Sequence, residues 1–204
     1  MAASSKTAIG PRRSGMRADA LKNRQRIIDA TVELVLKDGG DPARDAVATR
    51  AGLGIVTLYR HFPDQQSLLH AVVRSVLQTS IETGEALVEA APDGVEALRR
   101  YMHAALDGGI GVVNILYPLL DKPHWPDLHS RASRLMNSII SRAKLHGTLR
   151  SDLAERDIAL ALTRFARPLA VGLDPEKERA LAHRHLDFYI DGLCAEQPQP
   201  KLTT

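Results

Sequence analysis

Basic side chains are concentrated near the beginning of the chain, where they are able to pair with the phosphates of a polyanion. Residues 1–62 contain 11 Lys and Arg against 6 Asp and Glu, whereas the rest of the chain contains 16 against 18. Within the first 26 residues, Asp19 is the one acidic residue among seven basic ones: Lys6, Arg12, Arg13, Arg17, Lys22, Arg24 and Arg26. This distribution favours a segment that lies along a polyanion, although a solvated basic tail has the same composition.

Small and apolar residues between positions 43 and 62 have the spacing of a helix-turn-helix. Such a unit needs a small residue where its two helices cross and, four positions later, a residue that tolerates a left-handed backbone. Ala48 and Gly52 meet these two requirements. Apolar residues able to lock the two helices together stand at Val47, Ala51, Leu53 and Leu58. Because chance often supplies an Ala-x-x-x-Gly pattern, the interpretation depends on the residues that follow it.

The continuation Thr57-Leu58-Tyr59-Arg60-His61-Phe62, with a helix start at Pro63-Asp64 and then Leu68-Leu69, resembles the signature of the TetR family of transcriptional regulators. The resemblance is specific over residues 20–73. Beyond them it depends on helix number, helix lengths and the segment Gly147–Asp152. The resemblance implies a ligand-responsive regulator whose partners are double-stranded operator DNA, a small-molecule effector and a second copy of the chain. The resemblance also favours a repressor over an activator, because repressors are the commoner kind in the family. Such a repressor would leave a palindromic operator when a small hydrophobic effector binds.

The resemblance also implies that residues 41–65 bind DNA. Thr57, Tyr59 and His61 would donate to phosphates or base edges from the recognition helix, while Leu58 and Phe62 face inward. The expected DNA contacts are Arg44, Gly54, Ile55, Val56, Thr57, Tyr59, Arg60, His61 and Gln65.

Three of these positions depart from the family pattern. Gly54 stands where Ser or Thr is usual, Val56 where Gly or Pro is frequent, and Gln65 where Lys is usual. The missing hydroxyl and lysine remove two phosphate partners. Ile55 and Val56 could instead contact thymine methyl groups, which would favour A·T pairs at those positions.

The elements around this motif are predicted to be helices throughout, because no alternating strand pattern occurs and turn residues separate helix-length segments. We expect an all-α chain with a three-helix DNA-binding domain and a six-helix effector-binding and dimerisation domain. The predicted organisation is a flexible basic arm at 1–16, the helix-turn-helix domain at 17–63, the second domain at 64–194 and a flexible tail at 195–204. The predicted helices cover about 17–37, 42–50, 54–61, 65–90, 95–107, 112–120, 127–146, 155–171 and 176–193, with Asp41 and Asp64 expected as caps of the second and fourth.

The last two predicted helices carry apolar side chains at intervals of three or four residues, which gives each a broad apolar stripe. In the family these helices pair with their copies as a four-helix bundle. The residues expected at such a homodimer interface are Ile158, Leu162, Leu169, Leu181, His185, Phe188 and Tyr189.

Helices between Val95 and Val171 would surround an effector cavity if the family architecture holds. Large, adaptable apolar side chains are the expected lining, with one guanidinium for an anionic group. The candidates are Tyr101, Met102, Leu106, Tyr117, Trp125, Met136, Ile140, Phe165 and Arg167. Pro168 is expected to kink the eighth helix beside them. Plain core packing would use the same residues, and periodicity alone does not separate the two interpretations.

Other kinds of function have little support in the sequence. The spacings His183-x-His185 and His124/His129 do not place two imidazoles on one helix face, so we expect no metal site. No nucleophile, phosphate-loop or dinucleotide motif occurs, so we expect neither an enzyme nor a cofactor. A single cysteine, Cys194, and the lack of a long apolar run favour a cytoplasmic protein without a membrane partner. The alternative function, a helical small-molecule carrier or enzyme with a basic arm, leaves Thr57–Phe62 unexplained.

Overall fold

The computed structural model describes residues 11–145, 149–167, 169 and 172–194, and over these ranges every regular element is helical. The all-α class and the nine predicted helices are confirmed in this part of the chain. The helices are α1 Pro11–Asp38, α2 Arg44–Arg50, α3 Ile55–His61, α4 Gln65–Ala90, α5 Gly94–Asp107, α6 Gly111–Leu116, α7 Pro126–Leu145, α8 Glu155–Phe165 and α9 Pro175–Cys194, with a 3-10 turn over Tyr117–Leu119 after α6. Of these helices, none is both long and apolar enough to cross a membrane.

Two predicted helix ends are wrong in the amino-terminal region. α1 begins at Pro11 rather than Arg17, so residues 11–16 of the predicted arm belong to this helix. Proline suits the first turn of a helix, where its missing N–H costs no hydrogen bond. α2 is preceded by Ala43 without a side-chain cap, and the expected cap Asp41 instead accepts a hydrogen bond from Gln65.

Two further ends are corrected after α5. α6 stops at Leu116 instead of Leu120, because a 3-10 turn that contains Pro118 follows it. α8 stops at Phe165 instead of Val171. A proline disfavours helical backbone at the residue before it, so Arg167 is a poor position for α8 to continue toward Pro168. Pro168 and Gly147, expected to kink α8 and to end α7, lie outside the described residues.

Two hydrophobic cores hold the helices together. The first joins α1, α2, α3, the beginning of α4 and α6, and its most buried members are Ile27, Ile28, Val35, Val47, Leu58, Phe62, Leu68, Leu69, Val72, Val73, Val112 and Leu116. The second joins the rest of α4 with α5, α7, α8 and α9, and includes Leu98, Met102, Ile139, Ile158, Leu186 and Ile190. Val32, Leu77 and Val113 pack against both cores, so the two cores are continuous.

α6 is tightly held between the first core and the end of α8. A methyl group on Gly111 would lie 2.0 Å from the carbonyl oxygen of Ala166, so only glycine permits this backbone approach. Asn114 of α6 also donates a side-chain hydrogen bond to the carbonyl of Thr163 in α8. A movement of the end of α8 would therefore be passed to α6 and through it to the first core.

A ladder of charged and imidazole groups joins α5 to α9. Arg99 pairs with Asp187 and Asp191, and the other end of the ladder joins Asp107 to Arg179 and His183. In the middle, His103 Nε2 lies 3.0 Å from Asp187 Oδ1. The hydrogen bonds from His103 and Arg99 hold the pKa of Asp187 below its usual range. Along this ladder two arginines face three aspartates.

Candidate nucleic-acid interface

α2 and α3 meet in the turn that the spacing of Ala48 and Gly52 predicts. Gly52 has a φ of +63°, a left-handed conformation that glycine adopts without a steric penalty. The backbone amide of Leu53 donates to the carbonyl of Ala48 over 3.0 Å, which closes the turn. Of the predicted apolar set, Val47, Ala51 and Leu58 are buried and Leu53 is half-buried against the first core, and the small Ala48 is buried as well. The helix-turn-helix geometry predicted from the sequence is confirmed.

α3 turns its apolar anchors inward and presents a mixed face to solvent. Leu58 and the following Phe62 are almost completely buried. On the opposite side Val56 is 61% exposed, Tyr59 is 50% exposed, and Arg60 is exposed beside them. The other predicted contacts on α3 and its cap lie around this face: Ile55, Thr57 and His61 are half-buried and Gly54 is exposed. The face offers methyl groups, a phenol, an imidazole and a guanidinium to a partner.

The amino-terminal half of α1 brings basic groups to the same region. The guanidinium of Arg24 lies 5.0 Å from the centre of the Phe62 ring, and Arg26 donates to the carbonyl of Gly52 over 3.5 Å. Arg17 and Lys22 are exposed on the same helix and form no ion pair within the described ranges. The basic excess of the sequence therefore reaches the helix-turn-helix surface. Of the basic segment Arg12–Arg26, the side chains of Arg12 and Arg13 lie outside the described residues.

Two predicted DNA contacts are turned toward the protein. Gln65 Nε2 donates to Asp41 and lies 3.5 Å from the carbonyl of Pro42, which ties the beginning of α4 to the beginning of α2. Arg44 donates to the carbonyl of Phe62, and its guanidinium lies 4.3 Å from the centre of the Tyr59 ring. Sequence reasoning gave Arg44 a place on DNA and missed this contact. Its partners are 15 and 18 residues away in the sequence, so no local pattern announces them.

Two clefts in the carboxy-terminal region are candidate sites for a small molecule. The α1-side cleft, about 360 Å³, is lined by Leu36, Leu106, Phe165, Arg167, Leu181 and His185, among others. The loop-side cleft, about 390 Å³, is lined by Leu77, Ile81, Tyr117, Trp125, Leu128 and His129, among others. Both have the size of ligand sites in proteins and are lined mainly by apolar side chains.

The predicted effector-binding residues are not brought together in one cavity. Leu106, Phe165 and Arg167 line the α1-side cleft, whereas Tyr117 and Trp125 line the loop-side cleft. The remaining four, Tyr101, Met102, Met136 and Ile140, are packed in the second core and line neither cleft. In this structure these four side chains fill the space between α4, α5 and α7, so a role for them in effector binding stays a prediction. Burial also raises the pKa of the Tyr101 phenol.

The predicted dimer residues divide in a similar way. Ile158 and Leu162 are buried in the chain's own second core, so they are not available to a partner and this part of the prediction is corrected. Tyr189 is half-buried, packs against Phe165 and donates to the carbonyl of Asp157 over 3.1 Å. Leu169, Leu181, His185 and Phe188 keep exposed or half-exposed side chains, and Leu160, which the prediction omitted, is 50% exposed.

Comparison with known proteins gives a sequence match in the amino-terminal region and a structural likeness over most of the chain. The profile of bacterial regulatory proteins of the tetR family matches residues 27–72, which include α2, α3 and the beginning of α4. An HTH-type transcriptional regulator of Staphylococcus aureus (strain bovine RF122 / ET3-1) is 39% identical over 67 residues. These residues are 32% of this chain and 36% of that relative, so the sequence match spans about a third of each.

Solved structures extend the likeness to most of the fold. The TetR transcriptional regulator SCO0520 from Streptomyces coelicolor is 27% identical, with a TM-score of 0.62 over 85% of this chain and 99% of that one. The TetR-like transcriptional regulator LfrR from Mycobacterium smegmatis, solved in complex with proflavine, is 23% identical, with a TM-score of 0.59 over 81% and 94% of the two chains. These relatives are named as transcriptional regulators, and none of the three supports a carrier or an enzyme.

Proposed function

Since the chain belongs to the TetR family of bacterial regulatory proteins, we propose that it is a transcriptional repressor that binds a palindromic operator as a homodimer and leaves it when a small hydrophobic effector binds. The observation that carries this proposal is the exposed face of α3, where Val56 and Tyr59 lie beside Arg60, an exposed arginine that forms no ion pair within the described residues. A monomer in water gains nothing from exposing a valine and a tyrosine there. Methyl groups and a phenol beside guanidinium groups suit the base edges and phosphates of a DNA major groove.

The homodimer is supported by the apolar side chains that α8, α9 and the segment between them leave uncovered. Leu160 is 50% exposed and Phe188 is 59% exposed, and Leu169 and Leu181 are also accessible. A two-fold axis through this surface would repeat the recognition helix on the second subunit. Helix-turn-helix dimers bind half-sites about 34 Å apart, one turn of DNA, which explains the expectation of a palindromic operator.

The α1-side cleft is the better candidate for the effector site, because it touches the helix that carries the basic groups. Leu36 of α1 forms one wall, and Leu106 and Phe165 form others. Arg167 is exposed at the same cleft and could pair with an anionic group of the effector. A molecule held there would contact α1, α5 and α8 together. Its binding releases DNA only if it favours an arrangement of α1 that holds the recognition helices at the wrong spacing.

The test of DNA binding uses the region that flanks the chain's own gene, measured by gel shift and nuclease protection with purified protein. Tyr59→Ala is expected to weaken binding by tenfold or more while the helical content is unchanged. Tyr117→Ala is the matched control, since Tyr117 is equally exposed, at 49%, but lies outside the helix-turn-helix. Equal affinity of the Tyr59→Ala and Tyr117→Ala variants would argue against this DNA-binding surface.

The test of the effector site uses a hydrophobic anionic dye, anilinonaphthalene sulfonate, whose fluorescence rises in apolar surroundings. Phe165→Ala and Arg167→Ala are expected to weaken dye binding at the α1-side cleft. Trp125→Ala removes a wall of the loop-side cleft instead and serves as the control. If Trp125→Ala weakens binding and the other two variants bind as the wild type does, the effector site belongs in the loop-side cleft.

A further inference from the structure

The side chain of Arg44, at the beginning of α2, packs against α3, the proposed recognition helix. Its guanidinium lies 4.3 Å from the centre of the Tyr59 ring, and one terminal nitrogen donates to the carbonyl of Phe62. The other terminal nitrogen and Nε are buried and have no hydrogen-bond partner within the described residues. Buried donors normally find a partner, and the few that do not call for an explanation.

The position of these contacts suggests what Arg44 contributes. Phe62 is the residue that ends α3, and Tyr59 is an exposed aromatic side chain of that helix. A tyrosine that projects into solvent would otherwise sample several rotamers. The planar guanidinium is able to stack on the ring and donate in its own plane at the same time, which a lysine ammonium is unable to do. Arg44 thus fixes both the phenol ring and the end of the helix that carries it.

We propose that Arg44 is a positioning residue for sequence recognition: it acts on DNA through Tyr59, which it holds in one orientation, rather than by contacting a phosphate itself. This inference rests on the proposed DNA-binding function and refines it. The stack against Tyr59 also accounts for the burial of Nε and of one terminal nitrogen of this guanidinium. A preorganised Tyr59 loses less conformational freedom when it meets a base.

The two possible roles of Arg44 predict different kinds of loss. A residue that contacts a phosphate strengthens binding to every DNA sequence, and its removal lowers the slope of log affinity against log salt by about one for each contact. A residue that orients a base-reading side chain changes the preference for operator over other DNA and leaves the salt slope as it was. The conservative variant Arg44→Lys keeps the positive charge and removes the planar stack, so it separates charge from orientation.

The experiment measures the affinity of full-length protein for two duplexes by fluorescence anisotropy at several salt concentrations. One duplex covers the region that the wild-type protein protects beside its own gene, and the other has the same composition in scrambled order. Arg44→Lys is expected to lower the ratio of the two affinities by about tenfold or more at unchanged salt slope, as loss of a base contact does. Arg60→Met, at an exposed arginine of α3, is the comparison variant, expected to lower the salt slope at a nearly unchanged ratio.

A double-mutant cycle then tests whether Arg44 acts through Tyr59. The variants are Arg44→Met, Tyr59→Leu and both together, with circular dichroism melts to monitor folding. The double variant is expected to bind the operator no more weakly than Tyr59→Leu alone, because without Tyr59 there is no ring left for Arg44 to orient, and the melts report separately any loss from the Arg44–Phe62 hydrogen bond. If Arg44→Met does not fold, the Arg44→Lys and Tyr59→Leu pair completes the cycle.

Three results would overturn the proposal: a wild-type affinity ratio in Arg44→Lys, a reduced salt slope in Arg44→Met, or losses that multiply in the double variant. Failure of the proposed function looks different. In that case the wild-type protein itself protects no region and binds both duplexes equally.

Discussion

Two faces of this molecule expose large apolar side chains, and their surroundings differ. Val56 and Tyr59 on α3 are 61% and 50% exposed. Leu160 on α8 and Phe188 on α9 are 50% and 59% exposed. Helices α1, α2 and α3 together carry ten basic residues against five acidic ones, whereas α8 and α9 carry five against six. The guanidinium of Arg184 lies 5.2 Å from the Phe188 ring, within a helix that carries three basic and four acidic residues.

This difference indicates the kind of partner that each face suits. Apolar groups embedded in unbalanced positive charge fit a partner that combines phosphates with methyl groups and base edges. Apolar groups in a neutral surrounding fit a surface of the same kind, which a second copy of the chain supplies. The exposure of apolar side chains does not distinguish the two faces, whereas the balance of basic and acidic residues around them does.

The largest effect is expected from a charge placed on the neutral face. Phe188→Glu puts two carboxylates near the two-fold axis of the proposed dimer, so the protein should become monomeric. Loss of the second half-site is expected to weaken operator binding by about a hundredfold or more, since linked sites gain that much from effective concentration. Light scattering and gel shift measure the two results. Tyr117→Glu, at a similarly exposed tyrosine, should leave both unchanged, and a dimeric Phe188→Glu variant would exclude this interface.

Salt is expected to separate the two faces nearly as strongly. If about six phosphates are neutralised per dimer, operator affinity falls on the order of a hundredfold or more between about 50 and 200 mM salt. The dimer, held by apolar contact, should keep its association constant within about threefold over the same range. Anisotropy titrations and sedimentation at matched salt give the two values. A dimer that dissociates as salt rises would show that the α8–α9 face depends on ion pairs.

A methyl group at Gly111 probes the connection between the two regions. Gly111→Ala would meet the Ala166 carbonyl at 2.0 Å, so α6 and α8 must separate, and the free energy of unfolding should fall by about 1–3 kcal/mol. Gly192→Ala in α9 is the matched control, because nothing lies within 4 Å of its added methyl group and alanine favours a helix. Urea unfolding followed by circular dichroism measures both. Equal stability of the two variants would mean that the α6–α8 contact yields easily.

The smallest effect is expected from the ladder between α5 and α9. Asp187→Asn removes the carboxylate that His103 and Arg99 hold, and because Asp187 is about 44% exposed the loss should stay below about 1 kcal/mol. The pKa of Asp187 is lowered in the folded protein, so its contribution is present at and above neutral pH and disappears as the pH falls below its usual value. Thermal melts at pH 7 and in acid should therefore differ from wild type at pH 7 and converge in acid. A difference that grows in acid would contradict this account.

Features set by local backbone chemistry could be predicted from the sequence. The left-handed turn at Gly52 and the cap at Asp64, whose carboxylate accepts from the amide of Ser67 over 2.6 Å, each depend on a few adjacent residues. The end of α8 before Pro168 follows from an equally local rule, whereas the periodic apolar pattern predicts a helix that continues to Val171. The number and order of the helices rest on such signals, which explains why they were correct.

Features that depend on which partner an apolar or polar side chain meets could not be predicted. Ile158 and Leu162 have the spacing of an interface stripe, but the same spacing serves a helix that packs on its own core. Met102 and Met136 are suited to a cavity wall and equally to core filling, and the structure packs them in the core. Arg44 finds Tyr59 only after α2 and α3 have crossed. Periodicity specifies that a face is covered, and only the assembled fold specifies what covers it.

The continuous core has a consequence for how the molecule unfolds. Helix α4 begins in the first core at Leu68 and ends in the second at Val88, and α6 contributes Val112 and Leu116 to the first core from far along the chain. Residues 17–63 alone would therefore expose the apolar side of α1 to water. Segments that share a core open together, so the backbone amides of α1 and of the first half of α4 should exchange with deuterium in a single cooperative event. Helix α3 is then expected to be no more stable against unfolding than α6, which shares its core and lies about 50 residues later in the sequence.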